Sequence, residues 1–103
     1  MNNVQQEFIR KGLVIMQPGD EWFIMSKKNA IEFVEACKNA GIEILGIDGF
    51  YLHENNIIEP SMKDSIDFTS KSTYYGETHK RSKEFIMNKN DDLYFEIVCS
   101  ANN

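Results

Sequence analysis

The chain predicts an α+β domain, an antiparallel sheet of about four strands with two helices in a split βαβ-like arrangement, plus an N-terminal helix. Three observations carry this reading. Residues 26–41 hold a helical apolar stripe with a capping residue at each end, and residues 93–99 alternate cleanly between inward and outward side chains. From residue 21 onward the local patterns run strand, helix, strand, strand, helix, strand. A chain of 103 residues supports one core, so residues 1–103 are read as a single domain. Hydrophobic content of 42% and charged content of 26% are ordinary globular values. Seven Phe, four Tyr and one Trp supply the bulk of the core.

In order, Val4, Phe8 and Ile9 give residues 2–11 a short helical pattern, with Asn2 or Asn3 as cap and Gly12 as stop. Leu13 to Met16 is an apolar run ended by Pro18-Gly19, whose turn chemistry leads into the strand-like Glu21 to Met25 as a hairpin. Ser26 caps the next helix, in which Ala30, Phe33, Val34 and Cys37 share a face, and Gly41 ends it. Residues 42–52 are nearly continuously apolar, as in a central strand covered on both faces. Asp48-Gly49 would suit a tight hairpin or a bulge, and the apolar continuation Phe50-Tyr51-Leu52 favours one bulged strand. Residues 53–61 read as a loop containing Glu59-Pro60. Met62, Ile66 and Phe68 then alternate inward along a half-buried strand whose start frays near Asp64. Residues 70–90 carry a thin stripe of Tyr75, Ser82, Phe85 and Ile86, a surface helix along one edge. Leu93, Phe95, Ile97 and Cys99 define the last strand, and residues 100–103 fray.

The formal net charge of −5 is unevenly spread. Residues 42–70 hold six acidic side chains (Glu43, Asp48, Glu54, Glu59, Asp64 and Asp67) against Lys63 alone. This disfavours nucleic-acid binding, which needs a basic track for phosphates. It suits a basic protein partner, whose approach an acidic surface steers. Acidic residues also keep small cytosolic domains apart in solution, and charge alone favours that plainer reading. No run approaches the ~18 apolar residues of a membrane span, and the N-terminal sequence lacks a secretory pattern. Two cysteines, Cys37 and Cys99, do not make a disulfide framework, so a reduced cytoplasmic setting is expected.

The residues call for no catalysis, metal or cofactor. His53 beside Glu54 falls short of a three- or four-ligand site, and both are read as solvated loop residues. His79 lies one turn from Tyr75, a half-buried contact rather than a general base. Cys37 falls on an apolar helix face with no basic neighbour, as a small buried hydrophobe. Asp48, Glu54, Asp64 and Asp67 would need a cleft to separate their pKa values before acting as an acid–base pair. Gly46-Ile47-Asp48-Gly49 lacks the spacing of a phosphate-binding turn, and there is no nucleophile elbow.

Glu21-Trp22-Phe23, Gly46-Ile47-Asp48-Gly49-Phe50-Tyr51, Ile58-Glu59-Pro60-Ser61-Met62, Ser65-Ile66-Asp67-Phe68 and Asp92-Leu93-Tyr94-Phe95-Glu96-Ile97 together resemble a family of small bacterial proteins. These are the immunity proteins of polymorphic-toxin and contact-dependent inhibition systems. The resemblance runs over residues 20–98 and consists mainly of core-strand words. It implies a cytoplasmic, non-enzymatic inhibitor that binds a cognate toxin domain, such as a nuclease with a basic groove, and needs no cofactor. On that reading the contact residues are the exposed acids and aromatics of the central stretch: Asp48, Tyr51, Glu54, Glu59, Asp64 and Asp67. For Tyr51, core packing is an equal expectation. The alternative is a small-ligand binding or regulatory domain with the Gly46–Gly49 bend lining a pocket, which would show ligand-dependent stabilisation.

Overall fold

The computed structural model describes residues 1–69 and 77–101. Among them the order is α1 (Asn3–Arg10), β1 (Ile15–Met16), β2 (Phe23–Ser26), α2 (Lys27–Ala40), β3 (Ile44–Leu52), β4 (Ile58–Asp67), α3 (Thr78–Met87) and β5 (Leu93–Cys99). A 3₁₀ turn, Glu54–Asn56, joins β3 to β4. The five strands form one antiparallel sheet in the order β1-β2-β5-β3-β4. β2 and β3 therefore run parallel with β5 between them, and β4 and β5 run parallel with β3 between them. Each helical crossover, α2 and then α3, spans one intervening strand. This is the split arrangement expected from the order of patterns, with α1 and the short β1 as additions.

All three helices lie on one side of the sheet. α2 is the middle helix, packed on α1, α3, β2 and β5. Its stripe of Ala30, Phe33, Val34 and Cys37 is fully buried against Phe23, Met25, Leu93, Phe95 and Ile97. Phe33 ties three elements together: its ring meets Phe8 edge-on at 5.1 Å and Phe23 at 6.2 Å. The caps are those the residues dictate. Ser26 Oγ accepts the Asn29 N–H, and Gly41 takes a left-handed φ of 71° at the C-terminus. Cys37 is buried as expected. Its thiol, donating to Cys99 and desolvated, is held protonated far above the usual range.

Asn2, rather than Asn3, caps α1 through a reciprocal box with Gln5. Asn2 is 0% exposed, because its Nδ2 also donates to Ser100 O at 2.9 Å and to Cys99 Sγ at 3.3 Å. Ser100 donates its N–H to Glu43 O as well. The chain is thus held at Ser100, where the sequence predicts fraying. The proposed Tyr75–His79 contact involves a residue outside those described. His79 Nε2 itself donates to Ile42 O at 2.7 Å, tying α3 to the start of the central hairpin.

The main departure from the sequence reading is β4. It begins at Ile58 rather than Met62 and carries Pro60 within it. β4 is an edge strand, where the missing N–H of proline is tolerated. β3 is one strand with its irregularity where Asp48-Gly49 predicts it: Asp48 pairs with Ser65, but Gly49 pairs with Ser61. Residues 62–64 are the excess, and the strict inward alternation of Met62 with Ile66 and Phe68 fails there. Met62 is 86% exposed, whereas Asp64, read as a frayed strand start, is 5% exposed. Asp64 lies against Gly49, where an added Cβ would stand 2.9 Å from both the Cβ and the carbonyl oxygen of Asp64. The glycine is what lets the bulge fold inward.

Candidate functional site

The sheet face away from the helices is built by alternation. Because Phe95, Ile97, Ile47 and Met25 point into the helix-side core, their neighbours Tyr94, Glu96, Asp48 and Ile24 stand on the opposite face. Phe50 joins them, opposite Tyr94, and Asp67 extends the face onto β4, opposite Gly46. Ile24 and Phe50 are buried there outside the main core. The Trp22 ring lies on Phe50 with centroids 5.7 Å apart and a tilt of 49°. An aromatic group therefore forms one part of this face.

The other part is acidic. Asp48 and Glu96 face each other directly across β3 and β5, a pairing of like charges that costs stability. Asp48 Oδ1 accepts the Ser65 hydroxyl at 2.7 Å. Glu96 is half-buried and has no hydrogen-bonding or ion-pairing partner among the described residues. Desolvation, and then the charge of Asp48, push its carboxyl above the usual range. Asp67 is the contrary case. Its Oδ1 accepts the Thr69 hydroxyl at 2.6 Å and the Thr69 N–H at 2.8 Å, which hold it below that range. Between Asp48 and Asp67 runs a groove of about 410 Å³, bordered also by Gly46, Ser65, Thr69 and Val98. Strands β1, β2, β3 and β5 contain no lysine or arginine, and β4 contains only Lys63. The other described cations sit on helices or their flanks, so the domain is polarised between its two layers.

The sequence-selected contact residues divide accordingly. Asp48 and Asp67 come together on this face, on either side of the groove. Glu54 is exposed in the 3₁₀ turn, and Glu59 is exposed with His53 Nε2 2.8 Å from its Oε1. Tyr51 is on the helix side, half-buried against the core and paired with Leu93. Asp64 is not an exposed acid. It accepts the Ser61 hydroxyl and pairs with Lys89 Nζ at 2.9 Å, and these hold its carboxyl below the usual range. Its charge is used internally, locking the β4 bulge to the end of α3. Glu96, Trp22 and Tyr94 belong to the face but not to the sequence-based set. The alternation of residues 93–99 points Glu96 outward, but only long-range pairing sets it against Asp48.

Among the described residues no group of three His, Cys, Asp or Glu side chains is placed to hold a metal. No described helix is long and apolar enough to cross a membrane. No protein-family model matches the chain, and no curated protein is similar to it.

Proposed function

We propose that this chain is an immunity protein, a non-enzymatic inhibitor that binds and neutralises a cognate bacterial toxin domain. The observation that carries the reading is the acidic part of the sheet face away from the helices. Asp48, Glu96 and Asp67 stand on it without a compensating cation from β1, β2, β3 or β5, beside Trp22, Phe50 and Tyr94. Aromatic anchors beside partly desolvated charges are what tight interfaces use. An acidic field of this kind speeds encounter with a basic surface and fixes its register. The partner that fits is a toxin domain with a basic substrate groove, such as a nuclease, which the acidic face occludes.

The test begins with capture of partners by the tagged chain from its bacterial host at low and high salt. A captured domain is then expressed with and without the chain. The expected result is a stoichiometric, salt-weakened complex with a domain that is toxic alone and harmless when co-expressed. Asp48→Asn should weaken the complex by about 1–3 kcal/mol, as for loss of a charge-assisted contact. Toxicity unrelieved by the chain, or a complex insensitive to salt and to Asp48→Asn, would refute the reading.

A further inference from the structure

We propose that the cleft where β2 parts from β5 is an anchor pocket for an arginine side chain of the partner protein. The inference rests on the inhibitor reading and specifies how the partner is gripped. β2 is paired with β5 only through Met25 opposite Phe95 and Ser26 opposite Tyr94. Towards its N-terminal end β2 pairs with β1 instead, through Phe23 and Ile24. β5 meanwhile continues to Cys99 with β3 along one side. From Glu96 onward it has no ladder partner on the β2 side among the described residues. The sheet opens there into a cleft of about 190 Å³, whose walls include Glu21, Trp22, Glu96, Val98 and Gln5.

Size and chemistry narrow the occupant. The cleft is below the about 300–1,000 Å³ of sites that enclose drug-sized ligands, so it takes a single side chain. An anion entering would meet two carboxylates, Glu21 and Glu96. An apolar group would cover Glu96 without supplying a donor, which costs free energy. The Gln5 Oε1 is already committed, accepting the Asn2 N–H at 2.8 Å. Glu96 and Glu21, by contrast, have no partner among the described residues. A guanidinium satisfies both conditions, because it donates in a planar fork to a carboxylate and stacks on an indole face. Trp22 offers such a face, its ring steadied by Phe50. The cleft adjoins the acidic sheet face through Glu96, so one partner surface reaches both.

Trp22 is the sole tryptophan, so intrinsic fluorescence reads this cleft directly. The full chain is titrated with Nα-acetyl-arginine amide and, in parallel, with Nα-acetyl-citrulline amide, which has nearly the same shape but no charge. The arginine probe should give a saturable change in Trp22 emission, with apparent affinity at least about tenfold above that of the citrulline probe. Glu96→Gln, its fold checked by amide-proton NMR, should weaken the arginine probe by a similar factor. Equal response to citrulline, no saturation, or an unchanged affinity in Glu96→Gln would overturn the pocket. Asp48 is outside the cleft and separates the two proposals. If the arginine probe fails but Asp48→Asn still weakens the toxin complex, the pocket falls and the inhibitor reading stands. If the probe binds as expected but the chain leaves the toxicity of every captured domain unrelieved, the inhibitor reading falls and the cleft remains a guanidinium site.

Discussion

Gly49→Ala is the sharpest test of the architecture, because two effects of opposite sign compete at one atom. Gly49 lies within a strand and has no left-handed φ, so alanine meets no backbone penalty there. On backbone entropy alone the substitution would stabilise the strand by about 0.5–1 kcal/mol. The added Cβ, however, would stand 2.9 Å from both Asp64 Cβ and the Asp64 carbonyl oxygen. No flexible side-chain tip can swing aside to relieve this, so β4 has to move at its bulge. Overpacking of this kind costs about 1–3 kcal/mol. The movement also loosens the contacts of Asp64 with Ser61 and Lys89, so the upper half of that range applies. The net expectation is a loss of about 1–2.5 kcal/mol, or about 4–20 °C in Tm for a domain of this size. Urea and thermal unfolding followed by circular dichroism measure it. A variant as stable as the parent would mean that the bulge yields freely and that Gly49 does not hold Asp64 inward.

Three further substitutions test the other arguments. Asp64→Asn should destabilise by about 1–3 kcal/mol at neutral pH, since it leaves Lys89 without its counter-charge in a largely buried place. The folded-state pKa of Asp64 is lowered, so its contribution is present above the unfolded carboxyl range and lost as pH falls through the folded value. Unfolding midpoints between neutrality and about pH 2 should therefore converge for parent and variant. Asn2→Ala removes a cap and two contacts to the end of β5 and should cost about 1–2 kcal/mol, measured by urea unfolding. Glu96→Gln has the opposite sign. A raised carboxyl pKa means stability present in acid and lost as pH rises through the folded value. The variant should accordingly melt above the parent at pH 7, with the gain disappearing below about pH 4.

The sequence was informative where the determinants are local. Ser26 and Gly41 bracket α2 because a hydroxyl and a left-handed glycine act on their own helix ends. Alternation in residues 93–99 marks β5, and Gly46 with Gly49 marks an irregular central strand. β4 was harder to read because its pattern is interrupted twice, by Pro60 and by the extra residues 62–64. Both are tolerated only because β4 is an edge strand, a property of sheet order rather than of the segment. The same limit applied to the candidate site. Asp48 and Asp67 stand out in the sequence as members of one acidic stretch. The same stretch holds Asp64, whose partner Lys89 is distant in the chain. Glu96 escapes such a reading because its neighbour across the sheet, Asp48, is far from it in the chain. Asn2 was legible as a cap, but its hold on Ser100 was not, since that contact joins the two ends of the described chain.

The two acids Asp64 and Glu96 show how differently one sheet treats partly desolvated charge. Asp64 receives a hydroxyl and an ammonium within hydrogen-bonding distance, and its pKa falls. Glu96 receives another carboxylate across the strand pair and no donor among the described residues, and its pKa rises. A sequence tuned for stability alone would resolve the second case as it does the first, or replace Glu96 with a threonine or valine of higher strand propensity. A local cost without internal compensation is the mark of a residue held for something outside the chain. An arriving cation would convert the Asp48–Glu96 repulsion into attraction and remove the desolvation penalty together. On the proposed reading, the free energy that the isolated domain gives up at Glu96 would be recovered in a complex with a basic partner, a physical basis for specificity as well as affinity.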